Sequence, residues 1–182
     1  MARPVHSTMA MALVLGVLGA CGTSRTGREA AVTVPADAPA SDADRAWLTA
    51  THQDDLADVQ YGGLAQRKGV TAAVRHAGRV LAAEHAALDA KLLHVANALG
   101  AGLPRSRRAG QFAVAQRLEK ETGSRFDRDF VNVVIDAHVK ALARTEEEVR
   151  GGSSPAVIAL ARTALPALRE HLTMLRGANP VG

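Results

Sequence analysis

The segment "VLAAEHAALDAKLL", residues 80–93, decides the fold. Leu81, Leu88 and Leu92 recur at steps of seven and four, the spacing of one helix face turned toward a core. His85 stands in the same row, four residues after Leu81 and three before Leu88. An imidazole where a leucine would serve needs a partner, because a buried polar group without one costs roughly 1–3 kcal/mol. The segment therefore predicts a long amphipathic helix with a polar feature on its core side.

Working outward, this helix runs from Thr71 to about Leu99, adding Val74, Ala77 and Val95 to its row, and stops at "GAGLP". Before it, a helix reaches from Asp44 to about Arg67, with Ser41, Asp42 and Asp44 as candidate N-caps and Leu48, Thr51 or His52, Asp55, Val59 and Gly62 or Gly63 inward. After it, a short helix from about Arg108 to Glu121 fills the middle connection. A third long helix spans about Arg125 to Val149, with Val131, Val134, Ile135 and Leu142 inward. Ser154-Pro155 opens the last helix with a capping residue and a proline at the first helical position, and its row is Val157, Ala161, Ala164, Leu168 and Leu175. Pro166 lies inside that helix and is expected to kink it. The fold class is thus all-α: an up-down four-helix bundle with an extra short helix in the middle connection. A composition of 47% hydrophobic but only 3% aromatic residues suits such a bundle and argues against a sheet.

The chain has 182 residues, room for one domain behind an N-terminal leader. "MARPVHSTMAMALVLGVLGACGTS", residues 1–24, has a cationic start at Arg3, an apolar run from Met9 to Val17 and small residues before the only cysteine, Cys21. This reads as an export signal over residues 1–21 with a bacterial lipobox, which makes Cys21 the lipidation site and a membrane surface the first partner. The competing reading is a plain secretory signal cut after an alanine, leaving Cys21 a free thiol. Residues 22–43, rich in Ala, Pro, Ser and Thr, read as a disordered tether, and residues 44–177 as the bundle. The expected location is the extracytoplasmic face of a cell membrane or outer envelope. A formal charge of +4, interleaved with acids rather than clustered, offers no nucleic-acid platform.

His85 is not alone. His138 lies four after Val134 and four before Leu142, and His171 lies three after Leu168 and four before Leu175. Asp55 and Asp58 form an i, i+3 pair on or beside the inward face of the first helix. Counting residues from the turns puts these groups at similar levels along the bundle, so they can converge. Glu84 and Glu170, immediately before His85 and His171, are further carboxylate partners. Two outcomes follow: a metal-free His-carboxylate network, or a divalent transition metal held by His85, His138 and His171 with Asp58 and Glu84 as carboxylate candidates. His171 with Met174 offers a weaker nitrogen and sulfur pair for copper. His52, His76 and His94 lie off the clearest inward rows and are expected to be exposed. The Glu-x-x-His pairs of di-iron bundles are absent, as are a nucleophile elbow and a phosphate loop, so no catalytic residue or organic cofactor site stands out.

The segments "LADVQYGGLAQRKG", "VRHAGRVLAAEHAALDAKL", "GLP", "FDRDFVNVVIDAHVKAL" and "ALPALREHLTML" resemble the domain-of-unknown-function 4142 family across about residues 44–176. The resemblance implies a ferritin-like helical bundle, typically an exported bacterial protein. In that family Glu usually stands where this chain has Asp58, and Asp-His where it has Glu84-His85. A histidine matches His138, and Leu-Pro-x-Leu-x-x-His matches Leu165 to His171. The expected function is binding or buffering of a divalent metal, or pH sensing, rather than turnover of a substrate. The alternatives are an envelope structural or interaction module and an oxidative enzyme with one metal.

Overall fold

The computed structural model describes residues 39–179, so the signal, Cys21 and most of the tether lie outside the described residues. Five helices form: α1 (Asp42–Lys68), α2 (Ala72–Ala98), α3 (Ala109–Lys120), α4 (Gly123–Gly151) and α5 (Pro155–Ala178). Among the described residues no strand occurs, and no helix is long and apolar enough to cross a membrane.

Local chemistry sets the ends. Ser41 caps α1 in a reciprocal box with Asp44, and Thr71 caps α2 through its hydroxyl. Pro155 opens α5 as expected, but Ser154 caps by position only: its side chain makes no capping bond. Asp44 supplies what that hydroxyl does not. Its carboxylate, fully buried, accepts from the backbone N–H of Ser153 at 3.0 Å and of Ser154 at 3.2 Å, and from the Ser153 hydroxyl at 2.6 Å. At the other end Asp127 does the same for the α1–α2 turn, accepting from Val70 and Thr71 N–H at 2.9 Å each. Helix α5 runs continuously through Pro166.

These anchors fix the topology. The start of α1 meets the end of α4 at Asp44, and the end of α1 meets the start of α4 at Asp127, so the two are antiparallel neighbours. Helix α2 lies between α1 and α5. The connection holding α3 therefore returns the chain along the bundle, with α3 packed on α1 and α4. Because α3 covers it, α1 buries a second face that includes Ala57, Tyr61 and Leu64, wider than the single stripe expected from its spacing.

The core is divided. One apolar cluster, at the α1–α2 turn end, gathers Leu64, Val74, Leu81, Phe126, Phe130 and Leu175. Met174 is partly buried and packs against it. The other, at the opposite end, gathers Trp47, Leu48, Leu92, Val95, Val157 and Leu160. Between them lies a polar layer of Asp55, Asp58, His85, His138 and His171, each no more than 4% exposed.

Candidate metal centre

The level of this layer is set by a close crossing. A Cβ added at Gly62 would stand 2.6 Å from the Gly78 carbonyl oxygen, and one at Gly78 would stand 2.6 Å from that of Gly62. Only glycine permits this approach of α1 to α2. Asp55 lies seven residues before Gly62 and His85 seven after Gly78, two turns from the crossing on antiparallel helices. Both therefore arrive at one level, about 10 Å from the crossing at 1.5 Å per residue.

There the three histidines meet. His85 Nε2 lies 3.2 Å from His138 Nε2, which lies 3.2 Å from His171 Nδ1. The three ligand atoms are all within 4.8 Å of one another. Each outward nitrogen has its own acceptor: His85 Nδ1 donates to Asp55 at 2.7 Å, His138 Nδ1 to the Val134 carbonyl at 3.0 Å, and His171 Nε2 to Glu84 at 2.9 Å. A carbonyl only accepts, so His138 carries its hydrogen outward and its lone pair inward. Carboxylates fix the other two rings in the same way, holding the hydrogen on Nδ1 of His85 and on Nε2 of His171. Three lone pairs thus converge.

Protons alone do not satisfy this arrangement. Burial would lower His85, but the Asp58 charge and the hydrogen bond to Asp55 outweigh it and raise it to about 8. Burial, with His85 and His171 beside it, holds His138 well below the usual histidine range. Burial and His85 also lower His171, against the pull of Glu84. A single proton, centred on His85, serves one of the two nitrogen pairs and leaves the other as opposed lone pairs. A tetrahedral ion bound at the usual zinc–nitrogen length sets its ligand nitrogens about 3.3–3.4 Å apart, close to the 3.2 Å of two of the three pairs, with the third within 4.8 Å. The residues fit a metal.

The carboxylates divide into two roles. Asp58 Oδ2 stands 3.6 Å from His85 Nε2, beside the converging atoms, while its Oδ1 is buried with no partner. Burial raises Asp58 to about 7 and Asp55 to about 6, in each case against the pull of His85. Asp58 therefore stands beside the converging nitrogens, next to the trio of histidines that could hold an ion. Glu84 is not brought to the convergence: it holds the far side of the His171 ring, and its half-exposed side chain makes it an orienting partner. Asp55 has the same part for His85. Glu170 is exposed. Metal-binding histidines characteristically donate their second N–H to a carboxylate or carbonyl, and all three here do.

Two features escape the row arithmetic. His52, expected to be exposed, is buried at 6% exposure, because Asp89 on α2 takes its Nδ1 at 2.5 Å and the Pro104 carbonyl its Nε2 at 3.0 Å. Its partners come from α2 and the crossover, which no periodicity within α1 reveals. His76 and His94 are exposed as expected. Asp54 binds Arg108 and Gln111 from the α3 side and Arg144 from α4. Asp54 and Asp58 also line an open groove of about 420 Å³ between α1, α3 and α4.

Fold and site together define an all-α bundle whose polar middle layer presents three histidines able to hold a metal ion. The chain belongs to the DUF4142 family, a domain of unknown function, whose model matches residues 29–177. It is also similar to a solved DUF305 fragment from Deinococcus radiodurans, with a TM-score of 0.68, 17% identity, and coverage of 78% of this chain and 98% of that one. At that identity the likeness speaks for the fold. No curated protein matches the chain.

Proposed function

We propose that the protein binds a divalent transition metal through His85, His138 and His171, with Asp58 as a carboxylate ligand, as a binding or buffering protein of the cell envelope. The observation that carries this reading is the set of three inward lone pairs, each fixed by an outward acceptor, at a spacing that suits one ion. Neutral imidazoles with one carboxylate suit borderline ions such as zinc, iron, nickel or copper. Binding proceeds with loss of the proton centred on His85. Asp55, Glu84 and the Val134 carbonyl keep the rings oriented before the ion arrives, which limits the ordering cost of binding.

The export signal and lipobox at Cys21 support an anchored, extracytoplasmic location. Changing Cys21 to Ser is expected to release the protein from membranes, and unchanged fractionation refutes the anchor.

The metal reading is tested by elemental analysis and thermal melts of the purified bundle with zinc, iron, nickel, copper and manganese. The expected result is one ion per chain and a metal-dependent rise in Tm. In His138→Leu both are lost, read against that variant's own metal-free melt, which falls because His85 Nε2 and His171 Nδ1 lose their shared partner. If wild type holds no metal and no ion shifts its melt, the layer is a metal-free His-carboxylate network.

A further inference from the structure

Beside His85 the bundle is not filled. A cavity of about 30 Å³, open to water-sized molecules, runs from the polar layer toward Trp47 and Leu92. Its walls are mainly apolar, and Ala137, Ala141 and Ala164 leave the space where larger side chains would close it. Trp47 Nε1 is already bonded to Thr145 Oγ1, which in turn donates to the Ala141 carbonyl. The unmet demand lies at the other end. Asp55 Oδ2 and Asp58 Oδ1 are buried with no hydrogen-bond partner, and both residues line the cavity together with His85.

We propose that this chamber holds a small neutral molecule with two O–H donors, water or hydrogen peroxide, hydrogen-bonded to the free oxygens of Asp55 and Asp58 beside His85. Size and polarity together select this class. A cavity needs roughly 10–15 Å³ to admit one water, so the space accepts one or two heavy atoms and excludes any larger substrate. Two acceptors at one end call for two donors, and apolar walls give a charged ligand no other support. Placement of the guest next to a metal rests on the metal-binding reading above; the chamber itself does not.

The experiment uses the metal-free protein, so that the two readings fail separately. Oxygen-17 relaxation dispersion of the solvent counts long-lived internal waters. Wild type is expected to show about one or two more than Ala141→Leu, which fills the chamber from α4; Ala164→Val fills it from α5 and serves if the first variant fails to fold. Hydrogen peroxide then separates the sources. Loss of the component on its addition assigns the chamber to peroxide, persistence assigns it to water, and either supports an O–H donor. Equal amplitudes in wild type and the filled variants, or no long-lived component at all, overturn the proposal. Zinc calorimetry on the same samples reports the metal reading independently: a silent titration with the water component present removes the metal and keeps the chamber.

Discussion

At the scale of single residues, the site depends on hydrogen bonds that point away from it. Asp55 touches none of the converging nitrogens, yet it fixes the His85 tautomer and supplies negative charge behind the ring. Asp55→Asn is therefore expected to leave one ion per chain but to weaken affinity about 10- to 100-fold, measured by competition with a chromophoric chelator. Removing Glu84 is expected to do less, because its carboxylate is half solvent-exposed and water can take its place. Metal affinity should also fall as pH drops below about 8, where His85 takes up the proton that competes for its inward lone pair. His85, His138 and His171 were legible in the sequence because helical spacing alone places them in apolar rows. Which carboxylate stands beside the convergence and which orients a ring was not, because Asp55 and Asp58, three residues apart on one helix, differ only in what the packed helices present to them.

At the scale of the helices, the Gly62–Gly78 crossing acts as the register pin. Gly78→Ala puts a Cβ 2.6 Å from a carbonyl oxygen and 2.7 Å from Ala65 Cβ, against atoms of α1 that have little freedom to move. It should cost about 1–3 kcal/mol, read by urea unfolding, and should weaken zinc binding although the glycine lies two turns from the site. Gly62 and Gly63 both fit the inward spacing of α1. Only the packed pair shows that Gly62 is the one α2 requires, since at Gly63 an added Cβ would meet only the end of the Arg67 side chain.

At the scale of the whole molecule, two aspartates tie the bundle's opposite ends. Burial would raise the Asp44 carboxyl, but hydrogen bonds from Ser153 and Ser41 outweigh it and hold it well below the usual carboxylate range. A carboxyl depressed in the folded state contributes stability above its unfolded pKa, near 4, and loses it as pH falls further. Asp44→Asn should thus destabilise by roughly 2–4 kcal/mol at pH 7, with the gap to wild type closing below pH 4 in denaturant melts. Glu148 behaves oppositely. Burial, with Asp44 beside it, raises Glu148 to about 7, so wild type loses stability as pH rises from its unfolded value toward 7. Glu148→Gln should flatten that decline and melt above wild type at pH 8.

What the sequence determined by itself was the periodicity: four long helices, a short fifth, the Ser41 cap of the first and the proline start of the last, and three histidines in core rows, because burial imposes a 3.6-residue repeat on any helix that packs. What only the tertiary structure decided was convergence. The anchors at Asp44 and Asp127, the glycine crossing and the return of the crossover past α1 set the relative heights of the helices. None of these is a property of one helix, so no pattern along the chain encodes it. The burial of His52 and the role of Asp54 belong to the same class, since both are held by residues more than 30 positions away. Spacing places a histidine on a face; packing decides what that face meets.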